Sequence, residues 1–207
     1  SYLDFYFNCT TFNTGTDIYV AKFNSTGSSL LGSTYIGGSA NDGVNHTNVV
    51  STYIVPLSYT YTPGPPTSVA TCTPGSWTYT ITEHKADSLQ YNYGDQYRGE
   101  IQLDKFGNVY ITSSTRSSNF PIVGGFDNTL SGKQDAVVVK LNPNLTSIIW
   151  SSYLGGSEND AGYSLIVTDS LFTYVTGGTY STDFPTQPGC YNTTYNGGKA
   201  DGYIAKI

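Results

Sequence analysis

Methionine is absent from the 207 residues, histidine occurs twice, tryptophan twice and cysteine three times. Each scarcity closes a class of function. Charged residues make up 12% of the chain, against roughly 25% in an average soluble protein. Nine Lys and Arg face fifteen Asp and Glu, for a net charge of −6. With no basic run to neutralise phosphates, nucleic acid is excluded as a partner. No apolar run approaches the ~18 residues of a membrane helix, so no membrane insertion is expected. Cys9, Cys72 and Cys190 fit no zinc or Cys-x-x-Cys spacing. Their odd number leaves one thiol without an internal partner; one disulfide can form, and the spacing does not choose its members. The histidines, His46 and His84, stand in no His-Glu-x-x-His motif, and no nucleophile elbow, phosphate loop or dinucleotide fingerprint occurs. No catalytic residue is therefore assigned.

What the chain does have is 23 Gly, 19 Tyr and 9 Phe within a 38% hydrophobic composition. That supplies more burial than a disordered chain carries and points to an all-β extracellular protein. Self-comparison organises it. Residues 17–42, DIYVAKFNSTGSSLLGSTYIGGSAND, align without gaps on 135–160, DAVVVKLNPNLTSIIWSSYLGGSEND, with 12 identities in 26 positions. Residues 110–129 align on 174–193 with 9 identities in 20, and Asp201 opens a third copy, DGYIAKI. The first copy is 52 residues longer than the second, and the excess falls at about 43–98. The organisation is thus the end of a preceding unit (1–16), a repeat with an insertion (17–134), a second repeat (135–200) and the first strand of a third (201–207). Starting at Ser1, the chain is expected to be a mature form or a piece of something longer.

Each copy reads as four strands, in the second copy 136–142, 148–154, 163–168 and 172–177, with turn chemistry between them. Runs such as Ala136-Val137-Val138-Val139 do not alternate, so the sheets are expected to be covered on both faces. Stacked four-stranded antiparallel sheets repeating at this period are the blades of a β-propeller. The strings DxxVxKxN, GGSAND and GGSEND, GNVYIT and TYVTGGT, NFP and DFPTQPG resemble the bacterial seven-bladed β-propeller repeat family of secreted and cell-surface proteins. The insertion followed by YNYGDQYRGEIQLDKFGNVYIT is similar to that of surface proteins exported by gliding bacteria through the type IX route. The resemblance implies about three blades of an incomplete ring with a β-hairpin insertion, in a non-catalytic module of a longer extracellular protein that binds protein or glycan as in adhesion. Its partners would be other parts of the same long protein, an envelope or secretion protein, or a glycan. The alternative is a secreted propeller enzyme acting on polysaccharide, which would need carboxylates converging at one mouth of the ring.

Several residues carry candidate sites. Asp42 and Asp160 close the two Gly-Gly-Ser-x-Asn-Asp loops, where hydroxyl, amide and carboxylate oxygens offer calcium-like ligands; the simpler expectation is turn chemistry. Asp17, Asp135 and Asp201 are expected to cap backbone donors at strand entrances. In the insertion, Trp77 and Tyr79 alternate with threonines, and Tyr59 and Tyr61 lie on a second strand-like run; these four form the candidate contact surface, the simpler expectation being that the hairpin folds back and buries its rings on its own blade. Asp87-Ser88-Leu89 and Asp169-Ser170-Leu171 resemble the acceptor used for O-glycosylation in such bacteria, which makes Ser88 and Ser170 candidate glycan sites.

Overall fold

The computed structural model of the chain describes residues 16–43, 47–54, 78–85 and 99–207. They form eleven strands: β1 (Ile18–Phe23), β2 (Leu30–Ile36), β3 (Thr47–Ile54), β4 (Thr78–Lys85), β5 (Glu100–Leu103), β6 (Val109–Thr115), β7 (Asp135–Leu141), β8 (Ile148–Leu154), β9 (Asp160–Val167), β10 (Thr173–Thr179) and β11 (Asp201–Lys206). The described residues contain no helix, and every pairing is antiparallel. The sheets are β1-β2, β3-β4, β5-β6-β7-β8 and β11-β10-β9.

Sheet and sequence repeat are out of phase. The Asp-headed strand that opens each copy, β7 in the second, pairs with β6 of the preceding copy. β9 and β10 then leave for the next sheet, where they meet β11 of the third copy. The cause lies in the Gly155–Asn159 segment, which carries the chain from β8 to a neighbouring sheet and does not turn it back as a hairpin.

The two central strands of the four-stranded sheet, β6 and β7, are buried on both sides, as unalternating strands require. Val109, Ile111, Val137, Val139, Leu141 and Tyr153 pack with Val20 and Ile36 of the β1-β2 sheet. On the opposite face Tyr110, Ala136, Val138 and Leu154 pack with Leu165, Val175 and Tyr203 of the β9-β10-β11 sheet. β7 is the centre of the molecule: Ala136, Val137, Val138 and Val139 are all fully buried. Equivalent positions in the end sheets are exposed. Tyr35 is 80% exposed although its repeat equivalent Tyr153 is 0%, and Ile204 is 80% exposed although its equivalent Val138 is 0%.

Two turns follow from local chemistry. At the β5-β6 hairpin Asp104 Oδ1 accepts the Phe106 and Asn108 amides, both at 2.9 Å, Oδ2 accepts Asn108 Nδ2 at 2.8 Å, and Gly107 takes a φ of 80°. Lys140 closes the site at 3.7 Å from Asp104. Between β7 and β8, Asn142 Oδ1 accepts the Thr146 amide at 2.9 Å.

Burial on both faces has a direct consequence for neighbouring residues. Val137→Ala and Val138→Ala should each lower unfolding free energy by about 2 kcal/mol. Urea denaturation of the two variants checks this; a strand with one wet face would lose stability at only one of the two positions.

Candidate functional site

The repeated loop is the most elaborate polar structure among the described residues, and it occurs twice. In the second copy it begins at Gly155-Gly156 after β8 and ends at Asp160, the first residue of β9. Asp160 Oδ2 accepts the Gly156 amide at 2.7 Å and the Ser181 hydroxyl at 2.8 Å. The same Ser181 oxygen accepts the Glu158 amide at 3.0 Å, and the Ser181 amide donates to the Thr179 hydroxyl at 2.9 Å. Asp183 Oδ1 accepts both the amide and the hydroxyl of Ser157 at 2.9 Å, and these bonds hold its carboxyl below the ordinary value. The backbone adds Tyr180 N to Asn159 O at 3.0 Å and Asp160 N to Gln134 O at 2.7 Å.

The first copy repeats this clasp with one difference. Asp42 Oδ2 accepts the Gly38 amide at 2.8 Å and the Ser117 hydroxyl at 2.9 Å. Ser117 Oγ accepts the Ala40 amide at 2.9 Å, and the Ser117 amide donates to Thr115 Oγ1 at 3.0 Å. Asn119 Oδ1 accepts the Ser39 amide and hydroxyl at 2.8 and 3.0 Å, and Arg116 N donates to Asn41 O at 2.9 Å. One bond differs. The Thr115 hydroxyl donates to Asp42 Oδ1, whereas its equivalent Thr179 turns toward the Ser181 carbonyl at 3.5 Å and leaves Asp160 Oδ1 buried without a hydrogen-bond partner.

Both glycines of each pair are dictated by crowding. A Cβ on Gly155 would stand 2.7 Å from the Asp135 carboxylate and 2.8 Å from that of Asp160; one on Gly156 would stand 2.5 Å from Asp183 Oδ1. Two carboxylates therefore flank Gly155, as Asp17 and Asp42 flank Gly37. Asp135 Oδ2 accepts the Ser131 amide at 2.8 Å and Oδ1 the Gly132 amide at 3.2 Å, and Asp201 accepts the Asn196 amide at 2.6 Å. Burial pushes the Asp135 carboxyl up to about 7, against the two amide bonds and with the neighbouring charges of Asp160 and Asp127. Burial likewise raises Asp42 and Asp160.

Thr115, Ser117, Thr179, Ser181, Asn119 and Asp183 carry the clasp and were not singled out from the sequence. The available signal was their shared offset: Thr-x-Ser-x-Asn/Asp-Phe-Pro recurs 64 residues apart. Of the calcium candidates, Asp42 points both carboxylate oxygens, and Asp160 its Oδ2, at amide and hydroxyl donors. Among the described residues no group of three or more His, Cys, Asp or Glu side chains is arranged to hold a metal ion.

No protein-family model matches the chain, and a search of curated proteins returns no match.

The other candidates fall as follows. The β3-β4 hairpin of the insertion pairs Tyr53 with Tyr79 and Ile54 with Thr78, so the strand opposite Tyr79 is Thr47–Ile54. Trp77, Tyr59 and Tyr61 lie outside the described residues, as do Ser88, Cys9 and Cys72. Ser170 is exposed in the turn between β9 and β10, and Cys190 is an exposed free thiol.

Raised carboxyls give the fold a pH dependence of definite sign. Asp135 rises from an ordinary value of 3.8 to about 7 on folding, so its contribution to stability is complete below about pH 4 and is lost as pH rises through about 7. Asp42 and Asp160 act in the same direction. Thermal melts followed by circular dichroism should show a lower melting temperature at pH 8 than at pH 5, and Asp135→Asn should flatten that dependence.

Proposed function

We propose that the chain is a non-catalytic β-propeller-repeat scaffold of a larger extracellular surface protein, and that its insertion is the contact surface for a glycan or partner protein. The observation that carries this reading is the way the insertion joins the repeat. Gly43 N donates to Ser114 O at 2.8 Å, and a Cβ on Gly99 would stand 2.8 Å from Thr112 O. Both ends of residues 43–98 thus land on one stretch of β6, and the clasp that they interrupt keeps all but one of the bonds of the uninterrupted one. A segment that the scaffold can do without, held by its two ends on a rigid sheet, is where binding commonly resides.

The repeat itself consumes its chemistry-bearing side chains in holding sheets together, which supports a scaffold over a polysaccharide-degrading enzyme. Among the described residues, the converging carboxylates of Asp135 and Asp160 are fully buried, and a glycosidase pair must be reached by its substrate. Sheets stacked face to face, each fed by the loop of the one before, are the arrangement from which propellers are built. The sheets β1-β2, β5-β6-β7-β8 and β11-β10-β9 support a count of about three blades.

Replacing Trp77 and Tyr79 by Ala should weaken binding to immobilised polysaccharides about thirtyfold while leaving the melting temperature unchanged; a lower melting temperature with binding intact would make these rings core. In protein purified from its source, the peptide that carries Ser170 should be heavier than its unmodified sequence by a glycan, read by peptide mass spectrometry and absent from Ser170→Ala.

A further inference from the structure

The two clasps differ in one donor, and the difference falls beside a second buried carboxylate. In the first clasp the Thr115 hydroxyl donates to Asp42 Oδ1. In the second, Thr179 turns to the Ser181 carbonyl and Asp160 Oδ1 is left without a donor. Asp160 is fully buried, so water cannot make up the deficit. A buried acceptor left unpaired is costly, and more so when it carries charge.

The group next to it is Asp135, which is also fully buried. The two carboxylates converge on one point, 2.7 and 2.8 Å from where a Cβ on Gly155 would sit. Backbone amides of Ser131 and Gly132 hold Asp135 in this place. Gly132 itself lies against the crossing loop, since a Cβ there would collide with Glu158 O. The segment leading into β7, the Gly155–Asn159 loop and the start of β9 therefore meet at this pair.

The charges facing the pair do not relieve it. Asp127, ahead of β7, and Asp183, after β10, add negative potential. Tyr153 on β8 and Tyr203 on β11 have hydroxyls raised by burial and then by neighbouring carboxylates. Both are spent on carbonyls, Ser117 O at 2.6 Å and Ala161 O at 3.1 Å. Arg116 directs its Nε to Gln134 Oε1 at 3.2 Å, and Lys133 and Glu158 are exposed.

Two carboxylates that converge where water is absent resist ionising together, and a single proton removes the repulsion. A protonated carboxyl is a donor as well as an acceptor. We propose that Asp135 and Asp160 hold one proton between them, and that this proton latches the Gly155–Asn159 loop where it crosses between the two sheets. It gives Asp160 Oδ1 the donor that Thr115 gives Asp42 in the first clasp. The proton comes from solvent and returns to it as pH rises, so the latch is closed in acid and opens through neutrality. That range follows from Asp135, whose carboxyl burial lifts to about 7 against its two amide bonds, with Asp160 and Asp127 adding to the rise. Opening releases the Gly156 and Glu158 amides from the clasp. It stays local, because Val138, Leu165 and Val175 pack between the sheets without a titrating group. The latch stands independently of what the insertion binds.

Hydrogen exchange of the full chain, followed by mass spectrometry at pH 5 and pH 8 and corrected for the intrinsic rate, reads the latch. Peptides spanning 155–160 should lose protection at least about tenfold between the two conditions, while peptides spanning 37–42 lose less. Asp135→Asn replaces the shared proton by a permanent amide donor, so its 155–160 peptides should stay protected at both pH values. Asp160→Asn, which places the amide on the other side of the pair, is the second variant should the first unfold, with the same result expected. Equal protection of 155–160 at both pH values in the unaltered chain, an equal loss in 37–42, or an undiminished loss in a folded Asp135→Asn or Asp160→Asn chain overturns the proposal.

Discussion

The architecture depends on a buried aspartate that collects hydrogen bonds from a loop crossing between sheets. A loop that runs inside a protein brings backbone amides with no ladder to join, and each unpaired one costs about 1–3 kcal/mol. Asp42 and Asp160, both within 1% of complete burial, remove that cost for Gly38 and Gly156. Through the hydroxyls of Ser117 and Ser181 they extend the effect to Ala40 and Glu158. The serines come from the strand end of the sheet being entered, so each clasp ties the exit of one sheet to the edge of the next. Packing of Val138 on Val175 and Tyr203 can be tight because this tie sets how the sheets meet.

The arrangement concentrates negative charge where water is absent. Asp135 and Asp160 flank Gly155. Amide and hydroxyl donors offset the desolvation of the two carboxylates in part, and the raised carboxyls measure the remainder. An apolar pair would avoid that cost and would also lose direction. Hydrogen bonds fix which side of the loop meets which strand, whereas a valine contact permits sliding. The Asn119 and Asp183 substitution between copies fits this logic: a neutral amide oxygen and an exposed carboxylate accept the same two bonds, so the site requires an acceptor and not a charge.

Strands and their two-sided burial were legible because burial on both faces leaves a signature in one strand, the unbroken apolar run of β7. Sheet membership was not. The repeat is anchored by its strongest sequence signal, the Asp-headed strand, but pairing is set by neighbours in space, and that strand is third in its sheet. The clasp was half legible for a related reason. Gly-Gly-Ser-x-Asn-Asp announces a turn by itself, whereas Thr115 and Ser117 or Thr179 and Ser181 look like ordinary residues at a strand end. Only the contact with Asp42 or Asp160 gives them a role, and in the first copy 73 residues separate Thr115 from Asp42.

That separation is also the strongest evidence on how the insertion relates to its scaffold. Closing a loop of several dozen residues costs only a little more than closing a short one, since the entropy grows with the logarithm of length. A clasp closed over the short segment between Asp160 and Thr179 can therefore be closed over the 73-residue separation with nearly the same bonds. The condition is that the longer segment leaves and returns at adjoining points, and Gly43 beside Ser114 with Gly99 beside Thr112 meets it. Selection acting on residues 43–98 is in this way released from the constraints of the sheets. Their dense Tyr and Thr content is then free to differ from that of the strands in the described sheets.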